Sequence, residues 1–270
     1  VSLRLYLDAA ATQARRSLTY RVDFWVEAAV VFFVSLGVAW SLWNAVFDAT
    51  GAERIAGFDR RGMVLYVVTV LLAAKLVRGA DLGDAAVSSD VFEGGLTRYL
   101  LYPASYRGLK YAEHVGGLVP SVLQLVLFGV PFLLLLATPD APVSPASLAM
   151  GVVSLAVANL LCWLLLFPVH CVAFWAEGVW TLVLAVRFVG DLLGGVMIPL
   201  GAFPAWTRPW HEALPFRHLY AEPVETLLGR RDPAAWAGDL AAALGWCVAL
   251  SLLGQVLFTV GRRRYAGPGI

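Results

Sequence analysis

The sequence predicts an all-α integral membrane protein with six transmembrane helices, an N-terminal amphipathic helix lying in the interface, and a re-entrant or interfacial helical element between spans 5 and 6. Three observations carry this. Hydrophobic residues make up 60% of the 270 and charged ones 14%, where soluble domains run at about 25% charged. Apolar windows recur that are long enough for a helix rising about 1.5 Å per residue to cross roughly 30 Å of hydrocarbon. The segments between them hold most of the charges, with Lys and Arg alternately rich and poor. The chain, 1–270, reads as one transmembrane domain.

Residues 1–22 come first. Leu3, Tyr6, Leu7, Ala10, Ala14 and Leu18 recur at helical spacing while Arg4, Asp8, Arg15 and Arg16 lie off that stripe, the pattern of a helix lying in the interface. A disordered polar tail is the alternative. The first long apolar run starts only after residue 25, so no signal-peptide pattern is expected. Spans follow over 24–47, 62–79, 114–137, 145–169, 178–200 and 238–260. Windows 28–47, 115–137, 145–169 and 240–260 lack any Asp, Glu, Lys or Arg. Span 2 has a short apolar core followed by Lys75 and Arg78, whose stems let the charges snorkel. Span 5 carries Arg187 and Asp191, four apart and so on one helical face. Charges in mid-membrane cost about 2.5–3.5 kcal/mol each on insertion scales. The two read as a neutralising pair that locks span 5 to its neighbours, or as part of a transport path.

Six spans put both termini on one side. Twelve Lys and Arg flank the spans on that side and seven on the other, with none in the loop around Asp140, so the positive-inside rule makes the termini cytoplasmic. Residues 81–110 then form a cytoplasmic loop. Asp84, Ser88, Ser89 and Asp90 supply capping chemistry, and Asp90 with Glu93 has capping-box spacing. Gly94 and Gly95 break that helix, and Leu96, Tyr99, Leu100 and Pro103 suggest a second short turn ended by proline. Such a loop is a docking surface for a soluble partner or a solvated connector. On the opposite side, around 201–235, Pro199, Pro204, Pro209 and Pro215 exclude a continuous helix. With Gly195, Trp206 and Trp210 they fit short broken helices dipping into the membrane, or an aromatic belt anchoring an ordinary loop.

The sequence offers no catalytic constellation. It has no G-x-S-x-G and no H-E-x-x-H; His211 and His218 are seven apart with Pro215 between them, so one helix cannot present them as a zinc pair. No metal site is expected. A P-loop is absent, and neither lysine, Lys75 or Lys110, follows a glycine. A net charge of +1 without a basic block gives no reason to expect nucleic acid. Cys162, Cys171 and Cys247 show no C-x-x-C spacing and read as small buried hydrophobes.

The order of parts, with VFEGGLTRYLLYP at 91–103 and GGVMIPLGAFPAW followed by LPF within 194–216, resembles the permease subunits of bacterial ABC-2 type exporters, over essentially the whole chain. The resemblance implies a half-transporter in the bacterial cytoplasmic membrane. A second permease, identical or a sibling, would complete the pathway among the membrane lipids, and a dimer of ABC-type ATPase subunits would bind the ATP and Mg that drive it. It further implies that the loop between spans 2 and 3 seats in the ATPase through Asp90, Glu93, Gly94, Leu96 and Arg98, that Gly195, Pro199, Pro204 and Trp206 belong to a re-entrant element, and that a hydrophobic or amphiphilic compound is exported. The other class of function, a stand-alone secondary transporter or channel using Arg187 and Asp191, is weakened by the lack of an evident inverted repeat of broken helices.

Overall fold

A computed structural model describes residues 3–18, 21–79, 87–136 and 143–265; Asp84 and the loop around Asp140 lie outside them. Among the described residues there is no β-strand, and the regular elements are helical. Helix α1 (Leu3–Ser17) is followed by α2 (Arg21–Thr50). On α2, Phe32, Ala39, Trp43 and Phe47 are buried at helical spacing, while Phe33, Val34, Val38, Trp40 and Leu42 are exposed. An apolar face left bare on one side of a long helix is a face for lipid or for another apolar surface.

Helix α3 (Arg60–Arg78) starts at Asp59, whose carboxylate accepts from the Gly62 amide at 2.9 Å, and ends at Gly79 with φ 75°. It is buried on nearly every side, packed by α2, α9 and α12, as expected for a helix whose middle, between Arg61 and Lys75, carries no charge. Two short helices follow, α4 (Val87–Phe92) and α5 (Leu96–Leu100), separated by Gly94 at φ 78°. The loop expected over 81–110 is thus largely helical in its described part, and its last residues already belong to α6 (Tyr106–Gly117), capped by the Ser105 hydroxyl.

From Tyr106 to Leu135 the chain runs as one apolar helical path made of α6, α7 (Val119–Gln124), a π-helical turn over Leu125–Gly129, and α8 (Val130–Leu136). Pro120 sits in the first turn of α7, and Pro131 has no N–H for the carbonyl four residues back; the π turn before it absorbs that lost bond. Helix α9 (Pro145–Cys171) opens with a reciprocal Ser144–Ser147 capping box. Helix α13 (Pro233–Gly261) opens on Asp232, which accepts from the amides of Ala234 and Ala235, and packs along α9.

Among the described residues, four helices are long and apolar enough to cross a membrane: Phe32–Thr50, Tyr106–Leu135, Pro145–Phe174 and Pro233–Gly261. The chain is an all-α, multi-pass membrane protein. Helix α3 carries four cations in 19 residues. Helix α10 (Val179–Leu193), with 15 residues, rises only about 22 Å. The helix expected over 178–200 therefore stops early. It ends where Gly195 leaves helical geometry at φ 89°, and Gly194 before it is so closely packed that a side chain would lie 2.6 Å from the Tyr220 ring and 2.5 Å from the Gly190 carbonyl. Beyond it come 3-10 turns over Leu200–Ala202 and Ala205–Thr207, α11 (Arg208–Ala213), a 3-10 turn over Pro215–His218, and α12 (Ala221–Leu227). Pro199, Pro204, Pro209 and Pro215 each stand at the start of one of these pieces, where the missing amide is harmless.

Candidate functional site

The segment α4–α5 is held by a buried ammonium. Lys110 of α6, 1% exposed, lies 2.9 Å from Asp90 Oδ2 and 3.4 Å from Glu113 Oε2, with its charge 4.8 Å from the centre of the Tyr99 ring. The Tyr106 hydroxyl donates to Asp90 at 2.7 Å and the Tyr99 hydroxyl to Glu113 at 2.9 Å. Burial, opposed by Lys110 and aided by Glu113, raises the Tyr99 phenol above its ordinary 10, which keeps it a donor. Below this network Val87, Leu96, Tyr99, Tyr106 and Leu109 pack on Phe167, Cys171 and Phe258. The segment is welded to α6, α9 and α13.

This arrangement changes the role expected of two residues. Asp90 sits inside α4, and its carboxylate turns inward to Lys110 in place of a capping box with Glu93, because an unpaired buried ammonium is far costlier than a helix amide left to water. Leu96 is fully buried. Leu96 therefore presents nothing outward, and Asp90, 13% exposed, shows only an edge to the cleft beside α1. Glu93 and Arg98 are exposed on either side of Gly94, with Arg98 5.0 Å over the Tyr99 ring. Phe92, Leu101 and Tyr102 are exposed beside them; such a group of exposed apolar side chains is a signal that motif spacing alone did not supply.

Helix α1 lies against α6 at backbone contact. A Cβ on Gly116 would fall 2.1 Å from the Ala10 carbonyl oxygen, so only glycine lets the helices meet there, and the Ser105 amide donates to the Tyr6 hydroxyl at 3.3 Å. The expected stripe divides: Tyr6 and Ala10 face α6, while Leu3 and Leu7 are exposed at 72% and 57%. Between α1 and the α4–α5–α6 segment opens a cleft of about 740 Å³, lined by Asp8, Thr12, Arg16, Glu93, Arg98 and Glu113 among others.

Inside the bundle, Asp191 pairs with Arg78 at 2.8 Å, not with Arg187 on its own helix. Arg187 forms no hydrogen bond or ion pair among the described residues, and its Nε is closed off from solvent. Two reasons apply: a cation one turn N-terminal to an anion is the less favourable order on a helix, and α3 brings a competing guanidinium from outside. Arg78 also reaches the Tyr220 hydroxyl at 3.4 Å. Nothing local to span 5 marks Arg78 as the partner. Asn159, midway along α9, donates to the carbonyls of Leu76 and Val77 at 3.0 and 3.2 Å. It satisfies two of the last carbonyls of α3. Lys75 donates to Gln124 at 3.4 Å, and with Arg78, Phe32, Val68 and Phe128 it lines a cavity of about 160 Å³.

In the proline-broken segment, the Tyr66 hydroxyl donates to the Gly195 carbonyl at 2.9 Å, and the Ala221 amide to that of Gly194 at 3.0 Å, pinning the turn to α3 and α12. Pro199 leads into the first 3-10 turn. Pro204 lines a pocket of about 430 Å³ with His211, Arg217, Glu222, Glu225 and Arg231, while Trp206 is 73% exposed. Glu222 contacts both Arg217 and His218; Arg217 and Arg231 reach Asp239 at 2.9 and 3.4 Å, and Arg231 reaches Glu225 at 3.1 Å. Burial works against the Glu222 carboxylate, yet His218 and Arg217 hold it below its ordinary range; for Glu225 burial prevails over Arg231 and Arg230 and raises it. His211 packs against Phe203, apart from His218, and no metal-sized cluster of His, Cys, Asp and Glu occurs among the described residues.

The family described as ABC-2 family transporter protein matches residues 33–269. The match takes in all of the helices after α2 and most of α2 itself. No curated protein and no solved structure matches the chain.

Proposed function

Because the chain belongs to the ABC-2 family of transporter proteins, and is therefore a membrane component of an ABC transporter, we propose that it is the permease half of an exporter driven by ATPase subunits on separate chains. The ATP and Mg belong to those subunits. A second permease, identical or related, faces this one across the pathway, and the cargo is hydrophobic or amphiphilic. On this reading α3 and α10 complete six spans, the broken segment after Gly195 is re-entrant, and both termini lie in the cytoplasm of a bacterial cell.

One observation carries the proposal: the Lys110-centred weld. A loop that transmits force must not yield, and α4–α5 is tied through one buried cation to two carboxylates and, through Tyr99 and Tyr106, to the ends of α9 and α13. Such buried networks are rigid because each member is satisfied. What the weld leaves outward, Glu93, Gly94 and Arg98 beside Phe92, Leu101 and Tyr102, has the mixed apolar and charged make-up of a docking face. When the ATPases close, the two permeases' segments are drawn together, and motion passes into the bundle through α6 and α9. The test is co-purification: the double charge reversal Glu93→Lys with Arg98→Glu should strip the ATPase subunit from a folded permease, and retention of the subunit at wild-type stoichiometry sinks the docking assignment.

A further inference from the structure

We propose that Lys75 and Arg78 accept the anionic head of an amphiphile inside the bundle, and that Asp191 makes room by moving from Arg78 to Arg187. The inference rests on the transport reading above for its purpose, though not for its geometry. Lys75, Arg78 and Arg187 place three cations on α3 and α10 against one anion, Asp191. Arginine does not shed its proton in a protein, so the excess positive charge persists, and Arg187 meets it without a partner among the described residues. A carboxylate, phosphate or sulfonate is the chemistry that matches guanidinium and ammonium donors. The cavity lined by Lys75, Arg78, Gln124 and Phe128 has about 160 Å³, the volume of about five waters, which suits a head group with its chain running out along the apolar wall.

Arg78 is committed to Asp191 at 2.8 Å, so an incoming anion competes with that carboxylate. Arg187 stands one turn from Asp191, at the spacing from which it can take the carboxylate over. The pairing that the spacing of span 5 suggests and the pairing seen in the structure are then two states of one carboxylate, and a ligand's differential affinity for the state with Arg78 released is what shifts it.

The experiment titrates dodecyl phosphate, with dodecyltrimethylammonium as the opposite charge, onto the purified chain in phosphatidylcholine nanodiscs and reads tryptophan fluorescence. Dodecyl phosphate should bind and the ammonium should not. Arg187→Gln should weaken binding by about tenfold or more, Asp191→Asn should tighten it, and Arg187→Gln placed on Asp191→Asn should change nothing further. Arg187→Lys, which keeps the charge, should retain most of the affinity and shows that loss in the glutamine variant is not misfolding. Equal binding of both probes overturns the anion site; weakening by Arg187→Gln in the Asp191→Asn background overturns the handover. Competition by phosphatidylglycerol in the discs assigns the head group to membrane lipid, and its absence assigns it to a solute. Binding needs no nucleotide or partner, so failure here is separate from failure of ATPase docking.

Discussion

Lys110→Met tests the weld. The methionine matches the lysine stem in length and is apolar, so packing around position 110 changes little, but Asp90 and Glu113 lose the cation at 2.9 and 3.4 Å and face each other across the gap. Asp90 is 13% exposed and Glu113 23%. Removing one member of a buried ion pair costs about 3–5 kcal/mol, and Glu113's partial exposure places this case at the lower end, about 3 kcal/mol. The loss should fall on local opening of residues 87–103, since α9 and α13 keep their own packing. At 1.4 kcal/mol per tenfold, about 3 kcal/mol speeds amide exchange there by about 100-fold. The assay is hydrogen–deuterium exchange with peptide readout in nanodiscs. Adding Asp90→Asn should recover a good part of the protection, because the uncompensated charge goes. Unchanged exchange over 87–103, or a double variant as fast as the sum of the singles, refutes the reasoning.

Three more outcomes are expected. Gly116→Ala should lift α1 from α6, at a cost of about 1–3 kcal/mol for overpacking, seen as faster trypsin cleavage at Arg15 and Arg16; unaltered cleavage would mean α1 does not rest on Gly116. Arg78→Gln and Asp191→Asn should each lower the midpoint of detergent unfolding more than the double change does, and strict additivity would deny the pair. Glu222 has a folded pKa below its ordinary 4.5, so its contribution is full above that value and is lost as pH falls through the lower folded value. Glu222→Gln should therefore cost about 1.5–3 kcal/mol at pH 7, with the gap to wild type closing in the acid range below 4.5; a gap independent of pH would count against the Arg217–Glu222–His218 cluster.

Much of the fold was written in composition. Windows free of charge became α9, α13, most of α2 and the path through α7 and α8, because hydrocarbon admits few other solutions for a chain with no soluble alternative. Gly94 marked a real break, at a positive φ that glycine alone adopts freely, whereas the break at Gly195, also at a positive φ, falls inside the span expected over 178–200. Legibility failed where a partner lies far away in sequence. Asp191 had an acceptable partner four residues off, and only the Arg78–Asp191 contact at 2.8 Å in the folded chain shows that Arg78 competes for it. Asp90 and Glu93 matched a capping box, but a local signal of about 1 kcal/mol yields to a buried ammonium from α6. Lys110 was counted as one of the positive charges outside the spans; nothing at that position announces 1% exposure. The π turn before Pro131 was invisible for another reason: hydropathy reads length, not which hydrogen bonds are lost.

The most direct measurement reconstitutes the chain in liposomes with and without its ATPase subunits and follows release of a fluorescent amphiphile on adding ATP and Mg. The account predicts movement only when both chains and nucleotide are present, and its loss when Glu93 and Arg98 are charge-reversed. Movement by the chain alone, without nucleotide, would contradict it.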